Sequence, residues 1–363
     1  MAKRVGVDKV LFCTTLVLVV IGLVMVFSAS AISAQAASGS PYSFLIKQAV
    51  WGVLGLAGMS VVMQVDYRKL NHSQVVFPLV AITALLLLVV FAMPVSHGAH
   101  RWIRLGPLSL QPSELAKPVL VLFLAWFLQN KLHMINDLRG TLVPAALPSL
   151  LFIALIVKEP DLGTALVCAA VTALMLYLAG MKVKYLAMAG AAATPVLAYM
   201  LLFVKFRRER LLAFLHPDAD TLGTGYHMNQ SLIAVGTGGV FGRGYMEGVE
   251  KLFYLPESHT DYIFANIAEE LGLIGALIVV ALFVVLAYRG MRAVLLSRDP
   301  FARLLAFGIT TTILVQAFFN ISVVLALVPT KGITLPFISY GGTSLFITLL
   351  SIGVLLNITR ECD

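Results

Sequence analysis

Charge is what this chain has least of. Only 12% of its 363 residues are Asp, Glu, Lys or Arg, while 60% are hydrophobic. That shortage excludes a soluble globular fold of this length and leaves a polytopic membrane protein whose core is a helix bundle in lipid. Acidic residues are scarcer than basic ones, 18 against 26, and the net charge of +8 bears on topology and anionic lipid. No basic cluster is interleaved with aromatics on a soluble domain, so nucleic acid is not an expected partner. The three cysteines are Cys13, Cys168 and Cys362, none at disulfide or ligand spacing from another, and they leave the redox compartment open. No Walker motif stands in a connecting loop, and no set of three His or acidic ligands recurs at helical spacing. The lack of an internal repeat weighs against a transporter.

Apolar runs are what the chain has in place of charge. Ten are expected to span the membrane: 10–29, 44–63, 75–93, 114–129, 142–157, 162–179, 185–204, 262–288, 303–326 and 343–358. The start, Met1-Ala-Lys-Arg-Val, has the look of a signal peptide, but its apolar run is of spanning length and is read as a retained first helix. The fourth and fifth runs carry Pro118, Pro144 and Pro148 and are expected to kink or to begin inside protein. The fold class is therefore all-α, one polytopic domain over 1–363, with one long external loop, about 205–260, between the seventh and eighth spans.

Lysine and arginine give the orientation. Fourteen lie on the side of the termini and four, Arg101, Arg104, Lys158 and Lys331, in the short loops opposite, so both termini are expected in the cytoplasm. Lys205-Phe-Arg-Arg-Glu-Arg210 stands against this trend at the start of the external loop. It reads either as an interfacial helix on lipid headgroups or as a landing site for a phosphate-bearing lipid. Gly236-Thr-Gly-Gly-Val-Phe-Gly-Arg-Gly244 follows no strand pattern and reads as a flexible turn.

The remaining polar residues gather at the external ends. They are Arg101-Trp-Ile-Arg104, Gln111-Pro-Ser-Glu-Leu-Ala-Lys117, Lys158-Glu-Pro-Asp161, the stretch ending at Asp261, and the Pro329–Gly342 loop with Lys331. Each has a bland explanation. Glu114 suits a helix N-terminus with Lys117 as its ion-pair partner, and Glu159 and Asp161 suit a cap. His259 suits a loop. Asp261 stands where chain leaves water for hydrocarbon, as either a cap or a working group. Glu269 and Glu270, expected about 12 Å further along the same helix, need partners or water. A shared outward-open cavity accounts for all of them together. The residues by themselves lead only to an outward-facing polar cavity in a ten-helix protein; a carboxylate there can accept a proton from an attacking hydroxyl, and cations or a divalent ion held by carboxylates can stabilise a departing lipid pyrophosphate.

Val26-Phe-Ser-Ala-Ser30, Arg101-Trp-Ile-Arg-Leu-Gly106, Gln111-Pro-Ser-Glu-Leu-Ala-Lys117, Glu159-Pro-Asp-Leu-Gly-Thr164, Lys251-Leu-Phe-Tyr-Leu-Pro-Glu-Ser-His-Thr-Asp261 and Leu335-Pro-Phe-Ile-Ser-Tyr-Gly-Gly342 together resemble the SEDS family (shape, elongation, division, sporulation). The resemblance covers nearly the whole chain and keeps motif order. Its wording is closer to the division branch, FtsW-like, than to the elongation branch, RodA-like. It implies a peptidoglycan glycosyltransferase that polymerises lipid II at the outer face of the cytoplasmic membrane, facing the periplasm or cell exterior. Asp261 would be the general base on the acceptor 4-hydroxyl, and undecaprenyl pyrophosphate would leave with inversion. Glu114, Lys117 and Asp161 match polar positions of the family's cavity, and Arg101, Arg210 and Lys331 are further candidates for the pyrophosphate. The resemblance implies no organic cofactor and leaves room for a divalent cation, Mg2+ or Mn2+. It implies as partners lipid II, the nascent glycan strand, a class B penicillin-binding protein and other membrane proteins of the division or elongation complex. Ser258 stands where alanine is expected. A lipid II flippase, a RodA-like polymerase and a division scaffold are the competing readings.

Overall fold

The computed structural model describes residues 6–94, 100–105, 108–215, 225–252 and 255–361, without the side chains of residues 37, 38, 104, 105, 108 and 206. The leader-like start Met1–Val5, Gly106, Phe253, Tyr254, Cys362 and the side chain of Arg104 thus lie outside the described residues.

Each of the ten expected runs is a helix. In chain order they are α1 (Lys9–Ser38), α2 (Ser43–Val62), α3 (Ser73–Val89), α4 (Pro112–Gln129), α5 (Val143–Lys158), α6 (Leu162–Leu178) and α7 (Val183–Leu202). After α8 (Lys205–Leu215) and α9 (Tyr226–Thr237) come α10 (Ile263–Leu296), α11 (Pro300–Val324) and α12 (Gly342–Thr359). Eight helices among the described residues are long and apolar enough to cross a membrane. Of the other two expected spans, α6 has 17 residues and α4 has 18, with Glu114 and Lys117 in its first two turns. A short hairpin, β1 (Ile103–Leu105) with β2 (Leu108–Leu110), precedes α4.

Two helices outrun their expected limits. Helix α1 continues through the alanine-rich stretch after Phe27, whose residues favour helix, and stops where Gly39 turns left-handed at φ 71°. Helix α10 has 34 residues, about 51 Å at 1.5 Å per residue, and carries Arg289 and Arg292 past the hydrocarbon thickness. It is broken at Gly272, φ 66° and ψ −167°. The Gly236–Gly244 segment, expected as a flexible turn, is a fitted plug for that break. Arg243 and Gly244 N–H donate to the Glu269 and Glu270 carbonyls (3.0 Å each), and Leu273 N–H donates to the Gly239 carbonyl (2.9 Å). A Cβ on Gly272 would fall 2.3 Å from the Gly242 nitrogen, so neither chain tolerates a side chain at the crossing. Main-chain groups freed inside a membrane protein must find protein partners, and this loop supplies them.

The bundle has two polar ends. At one, Asp8 at the head of α1 pairs with Arg289 (2.7 Å), Tyr67 OH donates to Glu361 (3.0 Å), and Asn136 holds the turn after α6 through Lys182 N–H (2.9 Å). The two ends of the described chain share this end. At the other, Arg101 reaches the turn between α5 and α6, Arg210 of α8 reaches the Thr330 carbonyl, and Gln48 of α2 donates to the Ser339 carbonyl (3.0 Å). Helix α7 is peripheral and buries none of its residues.

Candidate active site

Pro256 ends the preceding segment, and a tight turn follows in which Thr260 and Tyr262 N–H donate to the Glu257 carbonyl (3.1 and 3.3 Å). Glu257 takes φ 55° to close it, a strained conformation for a side-chain-bearing residue. Asp261 sits at the end of this turn, before α10. The N-cap of α10 is Tyr262, with no side-chain hydrogen bond, so the cap reading of Asp261 fails.

The turn is held carbonyl by carbonyl. Asn266 Nδ2 donates to the Ser258 carbonyl (3.0 Å), Tyr340 N–H to that of His259 (2.9 Å), Ser339 Oγ to that of Thr260 (2.6 Å), and Asn320 Nδ2 to that of Asp261 (2.8 Å). Three of these donors lie in or beside the Pro329–Gly342 loop or on α11 facing it. His259 packs its ring on Phe44 and Tyr340, as a structural loop histidine does. The Asp261 carboxylate itself is partly buried and forms no hydrogen bond or ion pair with the described residues. It lies against Gly332, where a Cβ would come within 2.9 Å of Oδ2. Burial, helped by Glu257 and opposed by Arg101 and Arg210, pushes its pKa up to about 7. That is the range a general base needs.

Beside it runs a groove of about 520 Å³, counted out to its mouth, lined by Arg101, Asp161, Arg207, Arg210, Lys331 and Gly332 among others. Arg101 is aimed by the turn after α5, donating from Nε to the Glu159 carbonyl (3.1 Å) and from NH2 to that of Pro160 (2.5 Å). Arg210 NH1 donates to the Thr330 carbonyl (3.3 Å). Burial, with Arg207 nearby, lowers the Lys331 pKa, so an anion entering the groove would restore its proton affinity. Arg207 lines the groove as well. It stood in the basic run read from sequence but was not singled out.

The other expected residues are arranged differently. Asp161 is an N-cap: Oδ1 accepts from Thr164 N–H (3.1 Å) and Oδ2 from Thr164 Oγ1 (2.9 Å). Glu159 does not cap. It is fully buried, and both its carboxylate oxygens lack a partner among the described residues. Burial, with Asp161 adding, pushes its pKa up to about 8 against the pull of Arg101. Glu114 and Lys117 pair at 2.9 Å, both buried, in a second pocket bounded by Gln316, Pro336 and Ser351. The single cavity expected is therefore two chambers. Gln316, which lines the second pocket, accepts from Lys117 Nζ (2.6 Å) and donates to the Thr334 carbonyl (2.9 Å) of the loop that carries Lys331. Glu269 and Glu270 face neither chamber. Glu270 binds Lys251 Nζ (2.6 Å), Ser28 Oγ (2.7 Å) and Met246 N–H (3.0 Å), and Glu269 binds Val249 N–H (2.7 Å), so both serve the plug of α10. The polar amides Gln316 and Asn320, one turn apart in an apolar span, were a signal the sequence reading did not use.

The donor set does not fit a resident divalent cation. Among the described residues no three His, Cys, Asp or Glu side chains converge. Asp161 is occupied by Thr164, and the charges that oppose ionisation-suppressing burial around Asp261 are two arginines.

The family model for cell cycle proteins denoted FTSW_RODA_SPOVE matches residues 8–363. The chain is 41% identical over 357 residues to the probable peptidoglycan glycosyltransferase FtsW of Geobacter metallireducens, covering 98% of this chain and 95% of that protein. It is 38% identical over 364 residues to stage V sporulation protein E of Bacillus subtilis, covering 99% and 98%. Among solved structures it is similar to a chain of a peptidoglycan synthase complex that coordinates polymerization and crosslinking, with TM-score 0.79 and 29% identity over 98% of each chain. It is also similar to the rod shape determining protein RodA of Thermus thermophilus, with TM-score 0.71 and 27% identity over 98% and 97%.

Proposed function

We propose, for a chain that belongs to the FtsW, RodA and SpoVE family of cell cycle proteins, the following division of labour at its polar end. The protein is a multi-pass membrane peptidoglycan glycosyltransferase of the FtsW type, polymerising lipid II in septal wall synthesis with a class B penicillin-binding protein as its partner. The termini lie in the cytoplasm and the groove opens to the outer face of the cytoplasmic membrane.

Asp261 accepts the proton of the acceptor sugar's 4-hydroxyl. The oxygen forms a bond to the donor's anomeric carbon from the face opposite its diphosphate. The bond from that carbon to the diphosphate oxygen breaks, inverting the centre, and the electron pair leaves on undecaprenyl pyrophosphate. Arg101, Arg210 and Lys331, with Arg207, take up the charge that develops on the leaving group. Asp161 fixes the start of α6 at the groove wall. Glu114 and Lys117 act from the second chamber, coupled to the Lys331 loop through Gln316. No step is assigned to a resident metal; a divalent ion, if used, arrives with the diphosphate as part of the substrate.

The observation that carries this reading is a carboxylate with no partner among the described residues, set against Gly332 of a cationic groove, on a turn whose four consecutive carbonyls are each held. Purified protein with its transpeptidase partner is expected to convert lipid II to glycan polymer, and Asp261→Asn to stop this while keeping its fold. Polymer made at normal rate by Asp261→Asn removes the base. Lipid II crossing between leaflets of a proteoliposome, with no polymer formed by the wild type, selects a flippase instead.

A further inference from the structure

One side chain touches both loops that border Asp261. Asn320 lies on α11, 1% exposed. Its Nδ2 donates to the Asp261 carbonyl (2.8 Å) and to the Ile333 carbonyl (2.6 Å). A primary amide nitrogen carries two hydrogens, and here each is given to a different loop. Ile333 stands two residues after Lys331, so a single nitrogen ties the acid to the segment that carries a groove cation. Ser339 and Tyr340 join the same two loops at Thr260 and His259, further back along the turn. Gln316, one turn earlier on α11, grips Thr334 but does not reach the Asp261 turn.

The amide is kept at a cost. Its Oδ1 is buried without a hydrogen-bond partner among the described residues. An orphaned buried acceptor is destabilising, and replacing the whole group by an apolar one of similar shape is often neutral. Packing alone gives no reason for an asparagine here. Placement of two loops from one point does.

We propose that Asn320 is a positioning residue that sets the separation between the Asp261 carboxylate and the cations of the Lys331 loop, and so the geometry in which acceptor hydroxyl and donor diphosphate meet. This rests on the reading of Asp261 as the base. A displacement near 1 Å at a reacting centre costs about a hundredfold in rate. Asn320→Ala removes both donated bonds, and Asn320→Asp leaves at most one, from its protonated form. In lipid II polymerisation by the intact complex, each lowers kcat by about ten- to hundredfold while the donor KM changes little. A loosened turn also admits water to Asp261, whose raised pKa is due first to burial with Glu257, against Arg101 and Arg210. The acid limb of the rate profile therefore moves to lower pH, a change that simple loss of folded protein does not produce. Asn320→Ser restores one donor and recovers part of kcat.

The link is overturned if Asn320→Ala keeps kcat within twofold of wild type, or if kcat falls only with the folded fraction and the profile stays in place. Asp261→Asn, assayed alongside, separates the failures. If it still polymerises, the base assignment falls and takes the link with it. If it is inactive while Asn320→Ala is normal, only the link falls.

Discussion

Two groups of buried acids stand eight or nine residues apart in this chain, and they are opposites. Glu270 has both carboxylate oxygens bound, by Lys251, Ser28 and the Met246 N–H, and Glu269 has Oε1 bound by the Val249 N–H, so they fix the segment that follows the glycine loop beside the break of α10. Asp261 has a carboxylate unbound among the described residues, on a turn whose carbonyls from Ser258 to Asp261 are each bound. In one group the acids hold the fold; in the other the fold holds the acid. Burial alone does not mark a catalytic carboxylate. Main-chain carbonyls are bound in both groups; what separates them is whether the carboxylate itself carries hydrogen bonds.

The contrast makes opposite demands on mutation. Asp261→Asn should lower polymerisation by about 10²–10⁴-fold, the usual contribution of a general base. It should not unfold the protein. Because the folded-state pKa is raised to about 7, the stability tied to this group is full below the ordinary carboxylate range and lost as pH rises through about 7. Asparagine never ionises, so at pH 8 the variant should melt higher than wild type. A melting point well below wild type at that pH would make Asp261 a structural acid like its neighbours. Lys251→Ala should do the reverse, destabilising the protein by about 3–5 kcal/mol because it strands Glu270. The pair Lys251→Met with Glu270→Gln should recover most of that loss, which thermal melting in detergent reads directly.

A smaller effect sharpens the electrostatic side. Glu257 is the largest charge contribution raising the Asp261 pKa after burial itself, and it lies exposed at the head of the turn. The wild-type rate should rise with pH through about 7 as the base loses its proton. Glu257→Gln should move that rise to lower pH with only a modest change in the plateau. An unmoved acid limb would mean that the limb belongs to another group.

Legibility in the sequence followed the same division. The ten helices were readable because hydropathy at spanning length has few solutions, and the motif blocks pointed to the polar end. Helix ends were less readable: the run from Ser28 to Ser38 alternates serine and glutamine with alanine and is too weakly apolar to read as a span, yet Ala29, Ala31 and Ala34 are buried and carry the helix on. Sequence distance misled at Glu269 and Glu270. They do lie on α10 beyond Asp261, but their spacing along it says nothing of their partners: Lys251, 19 residues before Glu270, is what meets it. The Gly236–Gly244 plug was misread for a related reason. Its partners are main-chain atoms of a broken helix, which carry no residue identity. The carbonyl clamps on Asp261 were invisible likewise, since they pair side chains with backbone across as many as 81 positions, Tyr340 to His259.

Glu159 tests whether the rule extends to a fourth acid. It resembles Asp261 in having a carboxylate unbound among the described residues, but it is fully buried and lies behind the groove, with its carbonyl taken by Arg101. The contrast between the two groups then predicts no proton-transfer role, only a carboxyl kept neutral by burial and by Asp161 beside it. Its folded pKa of about 8 puts the window between the ordinary carboxylate value and about 8. Stability associated with its proton is complete below that window and is lost across it. Glu159→Gln should therefore leave the melting point unchanged in acid and raise it increasingly toward pH 8, by roughly 2–4 °C for each kcal/mol recovered. The gain should level off about one pH unit above that of Asp261→Asn, and polymerisation should stay within a few-fold of wild type. A stability gain independent of pH would mean that Glu159 is already ionised against Arg101, and a loss of activity as large as that of Asp261→Asn would place a second working acid behind the groove.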